Sequence, residues 1–275
     1  MADQTKIEWT DRTFNPWTGC TKISPGCDHC YAEGWSKRSG HVRWGNHPRK
    51  RTTEAYWKAP LAWQKAASGF IAESGRRPRV FCASLADVFD NQVDPQWRRD
   101  LFDLIAATPD LDWQLLTKRP QNIARMLPEN WGASGWSNVW LGFTAEDQVR
   151  FDQRKRFIET VPAAVWFVSY EPAIGPLRIA EADPAPNWLI IGGESGPGAR
   201  PMKAEWVNGV LKDCGARGIA PFFKQWGQFE NNPLTGTYNL PKSELQRLDP
   251  HGKGGGLVDG VIVRHFPNRK THNAA

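Results

Sequence analysis

Six short apolar runs, separated by helix-like stretches and bounded by turn residues, constrain this 275-residue chain more than any other feature. They read RVFCAS (79–84), WQLLT (113–117), VWLGFT (139–144), AVWFVSY (164–170), NWLIIGG (187–193) and APFFKQW (220–226). Between them lie DPQWRRDLFDLIAAT (94–108) with an Asp-Pro start, AEDQVRFDQRKRFIET (145–160), and KAEWVNGVLKDCGARG (203–218), which closes on a Gly cap. Short apolar runs alternating with helices predict an α/β fold whose parallel sheet is buried on both faces. That alternation leaves an open doubly wound sheet and a barrel both standing. No repeat or low-complexity tract precedes residues 228–275, where HGKGGGLVDG (251–260) predicts a glycine-rich turn, and we expect that tail to pack as an appendage.

Nearly every run ends in polar residues. Ser84 and Asp87 follow the first, Thr117, Lys118 and Arg119 the second, and Thr144, Glu146 and Asp147 the third. Ser169 and Glu171 follow next, then Gly193, Glu194 and Ser195, with Lys224 and Gln225 inside the last. Parallel α/β folds assemble their sites at the carboxyl ends of strands, so the recurrence predicts one shared polar site. Some of these residues will serve only as helix caps.

Composition narrows the partners. Hydrophobic residues make up 40% of the chain, yet fifteen are Trp and thirteen Phe, so bulky aromatics supply much of the buried area and some stacking surface. Thirty-five Lys and Arg against 29 Asp and Glu leave a net charge of +6, which favours an anionic partner. Basic clusters stand at RWGNHPRKR (43–51) and SGRRPR (74–79), in expected loops or helix ends. No apolar run approaches the roughly 20 residues that span a bilayer, and the start lacks a charged-then-apolar leader pattern, so the expected location is cytoplasmic, with no membrane partner.

Five cysteines, an odd number, with three of them crowded into NPWTGCTKISPGCDHCYAEGW (15–35), argue against a disulfide framework and for a metal or cluster. The spacing is Cys20-x6-Cys27-x2-Cys30. Two readings are open. Structural zinc takes a fourth ligand, which His29, His41 or His47 would supply. A [4Fe-4S] cluster on three thiolates leaves one iron open to bind a small molecule.

The motifs NPWTGCTKISPGCDHCYAE, SLADVF, LLTKRP, WLGFTAED, SYEPAIGPL, IIGGESGPGARPM and FFKQWG together resemble a phage- and prophage-associated family of radical-SAM-like proteins of largely undefined function. That family is similar to the radical S-adenosylmethionine (SAM) superfamily, whose usual spacing is Cys-x3-Cys-x2-Cys. This chain departs from it in the longer first gap. The resemblance implies a partial (β/α) barrel of about six to seven parallel strands over residues 1–227, with 228–275 as a C-terminal extension packed on it. It implies that Cys20, Cys27 and Cys30 bind the cluster, that SAM takes the open iron, and that a flavodoxin- or ferredoxin-type reductant supplies the electron. His29 stands where the superfamily has an aromatic near adenine. Ser84 and Asp87 are the candidates for the methionine moiety, Thr144 and Ser169 or Glu171 for the ribose.

GGESGPGARP (192–201) lacks the Lys-Ser/Thr of a nucleotide loop. Gly192 and Gly193 are expected to let the backbone approach a ligand, with Glu194 or Arg200 contacting SAM or substrate. Lys118, Arg119 and Lys224 are expected to meet an anionic substrate, or else to pair with Glu146, Glu171 or Glu194. Cys82 and Cys214 are expected to pack in the core. The leading functional reading is a radical SAM enzyme, an isomerase, lyase or other nucleobase-modifying type, that abstracts a hydrogen atom from a nucleic-acid base or modified nucleoside. Rearrangement or repair of a modified thymine in phage DNA would fit, with Lys118, Arg119 and the two basic clusters guiding phosphates. The alternatives are radical modification of a peptide or small metabolite, and a non-catalytic zinc- or cluster-stabilised nucleic-acid-binding module.

Overall fold

The computed structural model describes residues 5–228, 241, 243, 244, 247, 249 and 252–268. Strands form at Arg12–Thr13 (β1), Trp17–Thr18 (β2), Lys50–Arg51 (β3), Arg79–Cys82 (β4), Asp112–Thr117 (β5), Val139–Thr144 (β6), Val165–Tyr170 (β7), Trp188–Gly192 (β8), Ala220–Gln225 (β9), Leu257–Val258 (β10) and Val261–Ile262 (β11). Helices form at Tyr31–Ser39 (α1), Glu54–Trp57 (α2), Ala59–Ser74 (α3), Pro95–Ala106 (α4), Ile123–Met126 (α5), Gln148–Ile158 (α6) and Ala204–Arg217 (α7). All six apolar runs are strands, β4 to β9. Every residue of β4, β6 and β8 is buried, as continuous apolar strands covered on both faces require.

Seven strands share one sheet in the order β1-β4-β5-β6-β7-β8-β9. The pairings β1 with β4, β4 with β5, β5 with β6, β7 with β8 and β8 with β9 are parallel. Main-sheet strands succeed one another in chain order with no reversal, which is the order of a (β/α) barrel and not of a doubly wound sheet. The α/β expectation holds, and strand order decides between its two forms.

Local signals account for the helices. Asp94 caps α4 by accepting from the Gln96 amide at 2.8 Å, with Pro95 in the first turn where no donor is needed. Leu101, Phe102, Leu104 and Ile105 then give α4 its buried face. Sequence patterning did not reveal α1 to α3, β2 or β3. In α3 only Pro60, Trp63 and Ala67 are buried, a stripe too narrow to stand out among its alanines. β2 and β3 are two residues each, too short for any period to register.

The chain divides into two compact units: Met1–Ile23, Ala32–Phe143 and Phe157–Ala164 form the first, and Ser24–Tyr31, Thr144–Arg156 and Val165–Ala275 the second. The first is packed around Phe14, which is fully buried and meets Tyr56, Trp57, Trp63 and Trp113 at ring centroid distances of 5.1, 5.7, 6.4 and 5.7 Å. Such pairs contribute about 0.5–1.5 kcal/mol each beyond the area they bury. In the second, Trp188 meets Phe167, Phe222 and Phe266. Nine of the fifteen tryptophans are buried, so bulky aromatics supply much of the core, as the composition leads one to expect.

Part of the tail is held on β9. Phe223 N–H donates to Val263 at 2.7 Å and His265 N–H to Pro221 at 2.8 Å. β10 and β11 pair antiparallel across Asp259-Gly260, a two-residue hairpin loop of the expected kind. Residues 229–240 and 269–275 of the expected extension lie outside the described residues, as do 242, 245, 246, 248, 250 and 251. No helix among the described residues is long and apolar enough to cross a membrane.

Candidate functional site

In the first unit, Asp87 and Asp90 after β4 and Arg119 after β5 are the charges that act on Cys20. Asn15 ties the chain after β1 to the chain after β4: its amide donates to Ser84 Oγ at 3.0 Å, and its oxygen accepts from the Leu85 amide at 2.8 Å. Asp87, 5% exposed, accepts from Thr117 Oγ1 (2.7 Å), the amides of Phe89 (2.9 Å) and Lys118 (3.1 Å), and Arg119 Nη1 (3.1 Å). A carboxylate has about four lone-pair sites, and this chain's own donors take four. Asp87 thus anchors Arg119 and the β5 end.

Arg119 is buried, which corrects its expected place at a substrate phosphate. Its Nη1 also donates to Cys20 Sγ at 3.4 Å and its Nη2 to the Thr21 carbonyl at 2.8 Å. Burial opposes the charge of Arg119, but Asp87, Cys20 and Asp90 outweigh it and hold the guanidinium above its ordinary value. Burial and then Asp87 push the Cys20 thiol up to about 11, against the pull of Arg119. Coordination to a metal reverses that balance, because a ligating thiol is deprotonated outright.

One arginine of each basic cluster is committed as well. Arg49 is fully buried and donates through Nε (2.8 Å) and Nη2 (2.6 Å) to Asp90 Oδ2, so it is not a guide for phosphates. Arg76 forms a bidentate pair with Asp11 at 2.6 and 2.8 Å. Both acids lie far from their partners in sequence, so no local pattern announced the pairs. Lys118 is half-buried and Lys50 exposed.

In the second unit, Pro25–Cys27 forms one tight helical turn. Ser24 donates from its hydroxyl to Glu146 Oε1, and its oxygen lies 3.9 Å from Cys27 Sγ. Glu146, fully buried, also accepts from Arg154 Nη1 at 2.5 Å, and the same nitrogen reaches the Thr144 carbonyl at 2.7 Å. Gly26 lies where a Cβ would overlap the Glu146 side chain.

The glycine-rich loop after β8 closes on the same turn. Glu194, 4% exposed, accepts from the Arg200 amide (2.9 Å), Nε (2.8 Å) and Nη2 (2.6 Å), and pairs with His29 Nδ1 at 3.0 Å. Burial works to raise the Glu194 carboxyl, but the Arg200 and His29 bonds prevail and hold it down to about 2. Arg200 also donates to the Pro25 carbonyl at 2.8 Å and to Asp28 at 3.4 Å. Nearby, Lys224 Nζ lies 2.8 Å from Glu171 Oε1, and Ser169 Oγ donates to Glu171 Oε2 at 3.4 Å. A Cβ on Gly193 would overlap the Trp226 carbonyl, and one on Gly192 would crowd Glu171. These glycines therefore admit the chain's own strand end and carboxylate.

Sequence patterning missed Asn15, Ser24, Asp90 and Arg154. Asn15, Ser24 and Asp90 act across 41 or more residues of sequence, and Arg154 reaches back eight and ten residues to Glu146 and Thr144, beyond one helical turn, so no motif marks them.

All five cysteines are free. Cys82 and Cys214 are fully buried, and burial raises both thiols, Cys214 to about 12. Cys20 and Cys30 are partly accessible and Cys27 is buried. Among the described residues no three His, Cys, Asp or Glu side chains are gathered at metal-holding distance. In donor chemistry the three loop thiols still fit an iron–sulfur cluster: three free sulfurs lie within eleven residues of chain, and a guanidinium N–H is aimed at one of them.

No curated protein matches the chain. A solved structure of a spore photoproduct lyase mutant with bound AdoMet and dinucleoside spore photoproduct is similar at a TM-score of 0.40 and 12% sequence identity, over 84% of this chain and 63% of that one. The chain thus spans under two thirds of that protein's length. A family model described as "Protein of unknown function (DUF5131)" matches residues 4–267, and the chain belongs to that family.

Proposed function

We propose that the protein is a radical SAM enzyme that acts on a nucleic-acid base or modified nucleoside. The observation that carries the reading is the loop of Cys20, Cys27 and Cys30 after β1 of a parallel sheet laid out in chain order, with Arg119 donating to the Cys20 sulfur. The three thiols would hold a [4Fe-4S] cluster, which when bound supplies the electron that cleaves the C–S bond of SAM for hydrogen abstraction from the substrate.

The chain's own residues bind and orient. Arg119 balances the charge of a Cys20 thiolate, since hydrogen bonds to the sulfurs are among the protein's means of tuning such a centre. Thr144, Ser169 and Glu171 offer the hydroxyl and carboxylate groups for ribose. Glu171 already has Lys224 as counter-charge, so it would accept a sugar hydroxyl as an anion. The substrate class rests on the net charge of +6 and on the family resemblance, which also supports a phage or prophage setting in a bacterial cytoplasm. Repair or rearrangement of a modified thymine suits that setting. Within this proposal residues 1–227 are the catalytic body and 228–275 an extension, and a flavodoxin- or ferredoxin-type protein supplies the electron.

The test is anaerobic purification with iron, sulfide and zinc analysis, followed by incubation with SAM, reductant and candidate substrates. About four irons and four sulfides per chain are expected, with 5′-deoxyadenosine formation stimulated by modified DNA or nucleoside. Stoichiometric zinc without sulfide in oxygen-protected material overturns the radical reading. Stimulation by peptides alone overturns the substrate.

A further inference from the structure

We propose that Glu194 and Arg200 are positioning residues that clamp the segment carrying Cys27 and Cys30 and so set how firmly this chain holds its metal centre. The inference rests on the proposed function for its metal, but not for its geometry. The segment cannot shape itself. Its one helical turn has the internal bonds Cys27 N–H to Ser24 at 2.9 Å and Asp28 N–H to Pro25 at 3.2 Å, and a single turn of this kind is unstable alone. Its conformation is imposed from outside. Arg200 reaches the Pro25 carbonyl and the Asp28 carboxylate on the segment while its fork grips Glu194 through two nitrogens. Glu194 in turn takes His29 Nδ1, the residue next to Cys30.

The carboxylate is spent in doing so. Oε2 takes the Arg200 amide, Arg200 Nε and His29, and Oε1 takes Arg200 Nη2. Little acceptor capacity is left for SAM or substrate. The sequence motif GGESGPGARP thereby acquires a purpose that phosphate binding does not supply: its turns bring Arg200 back onto Glu194, six residues earlier. A metal centre depends on such outer partners, because ligands left to find their geometry bind more weakly and release sooner.

The experiment uses the full chain with Arg200→Met, Arg200→Lys and Glu194→Gln. In metal-free protein, amide hydrogen exchange over residues 25–30 should run about tenfold faster in Arg200→Met and Glu194→Gln, while β8 amides keep wild-type protection. In anaerobically reconstituted protein, iron loss to a chelator should accelerate about tenfold and the cluster's spectrum should change. Arg200→Lys, which keeps a cation on Glu194 without the planar fork, should recover part of both effects. Exchange over 25–30 within about twofold of wild type in both Arg200→Met and Glu194→Gln overturns the clamp. Faster exchange with unchanged iron retention and spectrum overturns its role at the metal. If Arg200→Met loses β8 protection, the near-isosteric Glu194→Gln decides. If wild type takes up no iron and sulfide, the cofactor reading falls, and the exchange data still decide the clamp.

Discussion

Asp90→Ala should be among the most damaging single substitutions in the chain, although Asp90 belongs to no motif. The Arg49 and Asp90 side chains are 0% and 3% exposed, and Arg49 gives Asp90 Oδ2 two bonds, at 2.8 and 2.6 Å. Without the carboxylate the guanidinium stays buried with only neutral acceptors: the carbonyls of Gly45 and His47, and Thr21 Oγ1. Breaking a buried pair from one side costs about 3–5 kcal/mol. Asp90 also accepts from the Gln92 amide at 3.1 Å, so its loss opens that turn too. At about 2–4 °C per kcal/mol for a chain near this size, the thermal midpoint should fall by about 6–20 °C. Circular dichroism melting of wild type, Asp90→Ala, Asp90→Leu, and the double variant Arg49→Met with Asp90→Leu gives the test. The double variant removes both charges of the pair, leaves Arg119 (3.9 Å from Asp90 Oδ1) on its partner Asp87, and should melt above Asp90→Leu alone. A loss under about 1 kcal/mol for Asp90→Ala, or a double variant less stable than Asp90→Leu, would refute the argument.

Three further outcomes are expected. Cys20→Ala, Cys27→Ala and Cys30→Ala should each abolish iron retention and SAM cleavage, whereas Cys82→Ala and Cys214→Ala should keep both at a cost of about 1 kcal/mol in the core; iron analysis and deoxyadenosine assay check this. Gly193→Ala should destabilise by about 1–3 kcal/mol or more, because its methyl meets the Trp226 carbonyl, a backbone atom; wild-type stability in urea unfolding would count against it. Glu194 is held below its ordinary 4.5, at about 2, so its pairing contributes stability that is present above pH 4.5 and lost as pH falls through about 2; the unfolding midpoint of Glu194→Gln should lack that dependence, and equal acid sensitivity in both proteins would contradict it.

The periodicity of this sequence determined the βα architecture, because a strand buried on both faces has to be apolar throughout and that property is local. β6 begins and ends where VWLGFT does. Caps and turns were local too, as Asp94-Pro95 ahead of α4 and Asp259-Gly260 between β10 and β11 illustrate. The crowding of Cys20, Cys27 and Cys30 was likewise plain in the spacing. Strand order was not, since alternation is common to open sheets and barrels, and only the pairing of strands distant in sequence separates them. Nor were the roles of the charges. Arg49, Arg119, Asp87 and Glu194 read as surface or ligand groups because a charged residue ordinarily stays in water. Each is instead buried against a partner, Arg49 on Asp90 and Arg119 on Asp87 among them. A buried charge is tolerable only when the fold brings its counter-charge to within hydrogen-bond distance, and for these residues that proximity exists only in the tertiary structure.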